Sequence, residues 1–215
     1  MKKIVSILTA TIMLLSFAAC GRPASGDDGT VGTPSGGSSQ PGIAEAGGAE
    51  TPEGARKILI VYFSWSSSGN TEKMANVIKE RTGGDILKIE PAVAYPADYS
   101  ECGEVAKAER DGNARPEIAN LPDSLDEYDT IFIGYPIWWH TAPMIIGTFL
   151  ENYDLSGKEV YPFAQSASMD TEQFANSMDF VRTSAGNALV RDGLFVSASD
   201  TDGMLAYLRK NGFAG

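Results

Sequence analysis

Apolar residues along this chain fall into compact blocks, and the blocks alternate between two kinds of spacing. Lys57-Ile58-Leu59-Ile60-Val61-Tyr62-Phe63 is a continuous apolar run rich in β-branched residues. It predicts a strand buried on both faces, the kind that parallel sheets contain. A serine-rich turn follows, and then Met74, Val77 and Ile78 recur at the spacing of one helical face. Asn70 or Thr71 can cap that helix, which runs to about Arg81, and Gly83-Gly84 stops it. Asp85-Ile86-Leu87-Lys88-Ile89-Glu90 alternates as an outer strand does. Residues 91–125 are mixed, with a helical stretch near Gly103 to Asp111. Thr130-Ile131-Phe132-Ile133-Gly134 predicts the next buried strand, Thr141 can cap a helix reaching about Asn152, and Lys158 to Ala164 predicts a further strand. A helix from Thr171 to about Ala188, a short strand at Gly193 to Ser197 and a last helix from Asp200 or Thr201 to before Gly212 complete the order.

Strand and helix alternate throughout. That predicts an α/β, doubly wound domain in three layers, a five-stranded parallel sheet with helices on both faces. Right-handed crossovers restrict the topology, and strand order 2-1-3-4-5 is the natural candidate. Such a sheet has its switch point between strands 1 and 3, and ligands bind beyond the carboxyl ends of those strands.

Residues 1–55 read differently. Met1-Lys2-Lys3 is a short basic start, Ile4 to Phe17 is mostly apolar, and Ala18 and Ala19 are small. That is the three-part pattern of a secretory signal, and it is short for a membrane span. Phe17-Ala18-Ala19-Cys20 resembles a bacterial lipobox. The resemblance implies removal of residues 1–19, lipidation of Cys20, and a lipid-anchored, extracytoplasmic place in the cell envelope. A plain secretory signal with a coincidental cysteine is the alternative. There is no twin-arginine pair to signal export of a folded, cofactor-loaded protein. Residues 20–55 continue in Gly, Pro, Ser and Thr without Phe, Tyr or Trp. Such a segment cannot bury enough surface to offset its chain entropy, and as a coil of about 35 residues it spans roughly 30–35 Å. The folded domain is expected at residues 56–215.

Composition narrows the chemistry. Against 17 Lys and Arg stand 28 Asp and Glu, a net charge of −11. An acidic chain without basic runs repels phosphate backbones, so no nucleic-acid partner is expected, and membrane contact is expected through the lipid anchor only. Hydrophobic content of 43% excludes wholesale disorder. Two cysteines, Cys20 and Cys102, cannot build a disulfide framework. The single histidine, His140, lacks co-ligands for a metal site.

Two segments at the predicted ligand edge carry chemistry. The first, Ser64-Trp65-Ser66-Ser67-Ser68-Gly69-Asn70-Thr71, leads from strand 1 into a helix. A helix N-terminus offers unpaired N–H groups and a positive dipole end, and the hydroxyls add donors. No Lys or Arg lies between Ser64 and Glu72, which suits a single phosphate monoester held by neutral groups. The P-loop lysine and the G-x-G-x-x-G fingerprint are both absent. An ordinary polar turn with a helix cap is the alternative. The second segment, Tyr135-Pro136-Ile137-Trp138-Trp139-His140, follows strand 3, and with Trp65 it places all three tryptophans at one sheet edge. A flat aromatic ligand explains that placement, since ring stacking adds about 0.5–1.5 kcal/mol beyond area burial. For one tryptophan alone, cover of the core would be the better explanation; for three at this edge the ligand is.

Ile60-Val61-Tyr62-Phe63-Ser64 through Ser68-Gly69-Asn70-Thr71 resembles the phosphate-binding start of the flavodoxin family. Ile133-Gly134-Tyr135-Pro136-Ile137-Trp138-Trp139 resembles its second flavin loop, and the similarity extends over about Lys57 to Asn211. The resemblance implies FMN. Its phosphate would lie on Ser64, Trp65, Ser66, Ser67, Ser68, Gly69, Asn70 and Thr71, and its isoalloxazine ring against Pro136, Ile137, Trp138, Trp139 and His140. Gln165, Ser166, Ala167 and Ser168 are similar to the turn that completes the family's ring site. The first loop is one residue longer than the common family spacing, which leaves open which of Ser66, Ser67 and Ser68 bond the phosphate. Electron transfer to a redox partner protein or a small quinone-like acceptor is the leading expectation. An FMN-dependent NAD(P)H:quinone-type reductase and a cofactor-less binding module on the same fold are the rivals. His140 is either a donor at the ring edge or a solvated loop residue. Cys102 is expected to be a half-buried, inert thiol, the acidic stretch at 123–129 a solvated face, and Asp170 a helix cap beside the third loop.

Overall fold

A computed structural model describes residues 56–213. The signal, Cys20 and tether expected at residues 1–55 lie outside the described residues. The chain runs β1 (Ile58–Tyr62), α1 (Asn70–Thr82), β2 (Asp85–Lys88), α2 (Tyr99–Asp111), β3 (Thr130–Pro136), α3 (Met144–Glu151), β4 (Glu159–Gln165), α4 (Thr171–Ser184), β5 (Leu189–Val190), β6 (Leu194–Phe195) and α5 (Thr201–Lys210).

β1 shows why an unbroken apolar run makes a strand here. Leu59 and Val61, followed by Phe63, enter one buried cluster, while Ile58, Ile60 and Tyr62 enter another. Successive strand side chains point to opposite faces, so only a strand covered on both sides can be apolar at every position. Ile145, Ile146 and Phe149 of α3 and Val181 of α4 complete the first cluster; Met74 and Ile78 of α1 and Met204 and Leu208 of α5 complete the second. Each large apolar side chain removed from water in this way contributes about 1.5–3 kcal/mol. Among the described residues, no helix is long and apolar enough to cross a membrane.

Every strand pair is parallel, and the order β2-β1-β3-β4-β5 is the expected 2-1-3-4-5. The fifth position departs from the single strand expected at Gly193 to Ser197. It is split into β5 and β6, both pairing with β4, so the sheet has six strands. β5 pairs through Val160↔Val190 and β6 through Phe163↔Leu194. Between these pairs Tyr161 and Pro162 face Arg191, Asp192 and Gly193, so the outer segment carries an extra residue, a bulge. Pro162 explains the break. Val160 O accepts the Arg191 N–H at 2.9 Å, which turns the even-numbered residues of β4 toward this edge. Pro162 is the next of them and has no N–H to continue the ladder.

Helix ends follow local chemistry with four corrections. Asp98, Asp170 and Asp200 cap α2, α4 and α5, their carboxylates accepting first-turn N–H groups. α1, however, starts on Gly69 at φ 59° with no side-chain cap, instead of on Asn70 or Thr71. α3 starts after Pro143, also without a side-chain cap, because Thr141 is engaged in a turn with Trp138. α2 begins at Tyr99, a turn earlier than its weak apolar stripe indicates, and α4 ends at Ser184.

Candidate functional site

Register brings the candidate loops together. Tyr62 pairs with Gly134, and Pro136 with Gln165, so the segments after β1, β3 and β4 leave the sheet side by side at its carboxyl edge.

The first loop closes on itself. The Ser68 N–H donates to Ser66 Oγ at 3.2 Å, the Ser66 and Ser68 hydroxyls lie 2.9 Å apart, and the Gly69 N–H donates to Ser66 O at 3.0 Å. Gly69 then takes the left-handed conformation that turns the chain into α1, a conformation open to glycine at no steric cost. Helix geometry leaves the N–H groups of Asn70, Thr71 and Glu72 without a carbonyl partner, and no side chain caps them. Ser66, Ser67 and Ser68 are exposed beside this end, Ser64, Gly69 and Asn70 are half-buried, and Thr71 is buried. The helix presents the equivalent of about half a positive charge here, so the end is built for an anion.

The second loop holds an unusual turn. The Trp138 and Thr141 backbones exchange two hydrogen bonds of 3.0 Å, and between them Trp139 has φ 47° and His140 φ 67°. Two central residues with positive φ make the pattern of a type I′ turn, normally filled by Asn-Gly. In the left-handed region each non-glycine residue costs about 1–2 kcal/mol. Offsetting contacts reach Trp139 from α2: its indole N–H donates to Gly103 O at 2.8 Å, and the Arg110 guanidinium bonds its carbonyl at 3.2 Å.

The tryptophans divide their roles. Trp138 meets Phe63, Trp65 and Tyr95 edge-on, with ring centroids 5.3, 6.2 and 5.2 Å away, and so extends the core to the sheet edge. Trp65 is fixed by its indole N–H donating to Pro96 O at 2.9 Å. Trp139 is 40% exposed. In the third loop the Met169 N–H donates to Ser166 Oγ at 3.0 Å, and Asp170 caps α4 as expected.

All three tryptophans line one cavity of about 530 Å³, together with Ile137, His140 and Ser166 to Ser168. Its remaining wall comes from α2, through Tyr99, Ser100, Cys102, Gly103, Glu104 and Ala106, and from Gln173. The α2 wall escaped the sequence reading. Ser66 to Thr71 stand outside the cavity wall, as do Pro136 and Gln165 at the strand ends. The site therefore has two parts: an anion-binding helix end and an aromatic cavity next to it, joined by Trp65.

A half-buried polar pair lies next to Trp138. Tyr95 donates its hydroxyl proton to Glu109 Oε2 at 2.9 Å. Burial, together with the Glu109 charge, raises the Tyr95 phenol far above its ordinary range, and burial raises the Glu109 carboxyl despite the Tyr95 hydrogen bond. Cys102 is buried rather than half-buried, and burial with the nearby Glu109 charge pushes its thiol up to about 11, so it stays protonated and inert at neutral pH. Folded Glu109 holds its proton to higher pH than an unfolded glutamate. The stability this gives is complete at acidic pH and is lost as pH rises through the folded value. Glu109→Gln keeps an acceptor for Tyr95 and removes the titration. The melting temperature of the variant relative to the native chain is expected to rise with pH from about pH 4 and to level off once Glu109 is fully ionised in the folded state. A difference that stays constant with pH in thermal melts would refute the raised Glu109 carboxyl.

Residues 57–211 match the family model for flavodoxin. No curated protein matches the chain. Solved structures do. A candidate flavoprotein from Bacteroides eggerthii is 33% identical with a TM-score of 0.63, the match covering 72% of this chain and 96% of that one. A second candidate flavoprotein, from Bacteroides uniformis, is 32% identical with a TM-score of 0.64, over 72% of this chain and 99% of that one. A flavoprotein from Lactobacillus acidophilus, solved in complex with FMN, is 30% identical with a TM-score of 0.55, over 69% of this chain and 97% of that one. Sheet order, the helix end after β1, the aromatic loop after β3 and a family match spanning nearly all the described residues agree: this chain belongs to the flavodoxin family.

Proposed function

We propose that this domain binds FMN noncovalently and works as an electron-transfer protein, held outside the cytoplasmic membrane by a lipid on Cys20. The observation that carries the reading is the pairing, at one sheet edge, of an α1 N-terminus free of any side-chain cap with a cavity walled by three tryptophans. The residues fit the group. The N–H groups at the start of α1 and the hydroxyls of Ser66 and Ser68 suit its phosphate, and Trp139, His140 and Ser166 to Ser168 suit its flat ring. When bound, the flavin supplies the redox chemistry, and the chain supplies binding and exclusion of water. The FMN complex of the Lactobacillus acidophilus relative supports the assignment. The tether reading rests on Phe17-Ala18-Ala19-Cys20 and on the Gly, Pro and Ser composition of residues 21–55.

A flavin-dependent reductase of quinone-type acceptors has one observation in its favour: Tyr99 is 82% exposed at the cavity wall, where a second flat ring could reach. Purified protein mixed with FMN and freed of excess is expected to keep a visible flavin band at one equivalent. Its absence from folded protein would sink both flavin readings and leave a binding module. With the band present, sustained oxidation of a nicotinamide donor by a quinone would favour the reductase. In cells the full chain is expected to incorporate labelled fatty acid and Cys20→Ala to incorporate none; absence of label from the full chain would refute the lipid anchor.

A further inference from the structure

We propose that Arg110 on α2 is a positioning residue for the cavity. It holds the Trp139–His140 turn in its left-handed form, so that α2, outside the sheet, sets how tightly the flavin ring is held; this rests on the flavin reading above. Trp138↔Thr141 is an isolated bridge with no flanking ladder to impose its twist on the turn. Neither central residue is a glycine, and a bulky residue at positive φ persists only where surrounding contacts over-determine it.

Those contacts come from α2 and converge on Trp139. Its indole N–H is fastened to the Gly103 carbonyl at 2.8 Å. Arg110 holds its carbonyl at 3.2 Å, which fixes the central peptide of the turn, and places its guanidinium 5.5 Å from the center of the Trp139 ring. Arg110 is itself aimed. Its Nε donates to Asp111 Oδ1 at 2.9 Å, and Lys107 holds the other oxygen of that carboxylate at 2.6 Å. Lys107, Arg110 and Asp111 thus form a brace on the last turn of α2. None of the three lines the cavity, and Arg110 reaches its wall at Trp139.

The test compares Arg110→Ala and Arg110→Lys with the native chain. In the flavin-free protein, hydrogen exchange at the Thr141 N–H, which closes the turn, is expected to speed up by about tenfold in Arg110→Ala, while the β3 amides keep their rates. In Arg110→Ala the dissociation constants of FMN and of riboflavin are both expected to rise, by about tenfold each, because the affected contact is with the ring. The reduction midpoint of the bound flavin is expected to move as well. Arg110→Lys keeps a cation over the indole without the planar fork and should restore part of each effect. Unchanged exchange at Thr141 would overturn the brace whether or not flavin binds. Faster exchange with unaltered flavin affinity and midpoint would confine Arg110 to a structural role and overturn the link to the ring. Failure of the native chain to bind FMN would count against the flavin reading instead, and is seen before any variant is compared.

Discussion

Ser68→Asp is expected to weaken FMN binding by at least about 100-fold while leaving riboflavin, which has no phosphate, within about threefold of its native affinity. The reason lies in how this chain treats its helix ends. Asp98, Asp170 and Asp200 each place a carboxylate on a first-turn N–H, which satisfies the helix and repels any other anion. α1 is left without a side-chain cap: neutral Ser66, Ser67 and Ser68 are exposed in front of it, and its first-turn acid, Glu72, does not cap the helix end. A phosphate monoester carries −1.5 to −2 charges, and a unit charge about 4 Å away near a protein surface acts with about 4 kcal/mol per charge before screening. Even a strongly screened remainder suffices for the loss expected. The substitution should not cost folding, since an acid beside a helix N-terminus stabilises it by about 0.3–1 kcal/mol. Affinity and melting temperature should therefore move in opposite directions. Ser68→Asn, of similar size and uncharged, should lose less than about tenfold. Parallel titrations of FMN and riboflavin decide the matter: equal losses for both ligands, or none for either, would remove the phosphate from the α1 end.

How far the sequence carried each part of this site depends on whether a part was built from periodic burial or from single long-range contacts. β1 and β3 were legible because β1 is apolar at every position and β3 is apolar from Ile131 to Ile133, and two-faced burial leaves that mark whatever lies around it. The caps on α4 and α5 were legible because an aspartate before a helix does its work locally. α2 was only half legible. It buries just Cys102 and Ala106, too narrow a stripe to betray a helix that walls the cavity. The return from α2 is fastened by Asn120, which accepts the Glu90 N–H at 2.9 Å and donates to Lys88 O at 2.7 Å, contacts with no periodic trace. The split of the outer strand was written in Pro162, but its meaning depends on which edge its nitrogen faces. The three tryptophans did mark the ligand edge. What they did not reveal is that Trp138 is set edge-on against Tyr95, Phe63 and Trp65, that Trp65 also meets Tyr99 of α2, and that Trp139 is tied to α2 by hydrogen bonds.

Gly134→Ala is expected to destabilise the domain by about 3 kcal/mol, a fall in melting temperature of roughly 6–12 °C for a domain of this size. A glycine in the middle of a buried strand would ordinarily weaken it, yet here the missing side chain is replaced by a neighbour. Gly134 pairs with Phe163 on β4, and the Phe163 ring lies over it so closely that an added Cβ would fall 2.1 Å from the ring tip. That ring is fully buried, so it cannot swing out to make room and the clash must be absorbed by the sheet. Position 134 also lies at the root of the site. Its carbonyl accepts the Phe63 N–H at 2.9 Å, directly before the first loop, and two residues further on β3 ends at Pro136, where the tryptophan turn begins. Strain at this point is expected to lower FMN affinity even well below the melting temperature, whereas a clash relieved within the core would leave affinity intact. The pairwise cause can be isolated by a double-mutant cycle with Phe163→Leu. Alone, that change leaves a cavity and should cost about 1–3 kcal/mol; combined with Gly134→Ala it should cost less than the sum of the two single changes, because the smaller side chain vacates the space the methyl group needs. Strict additivity in denaturant melts would mean that the ring is not what excludes a side chain from position 134.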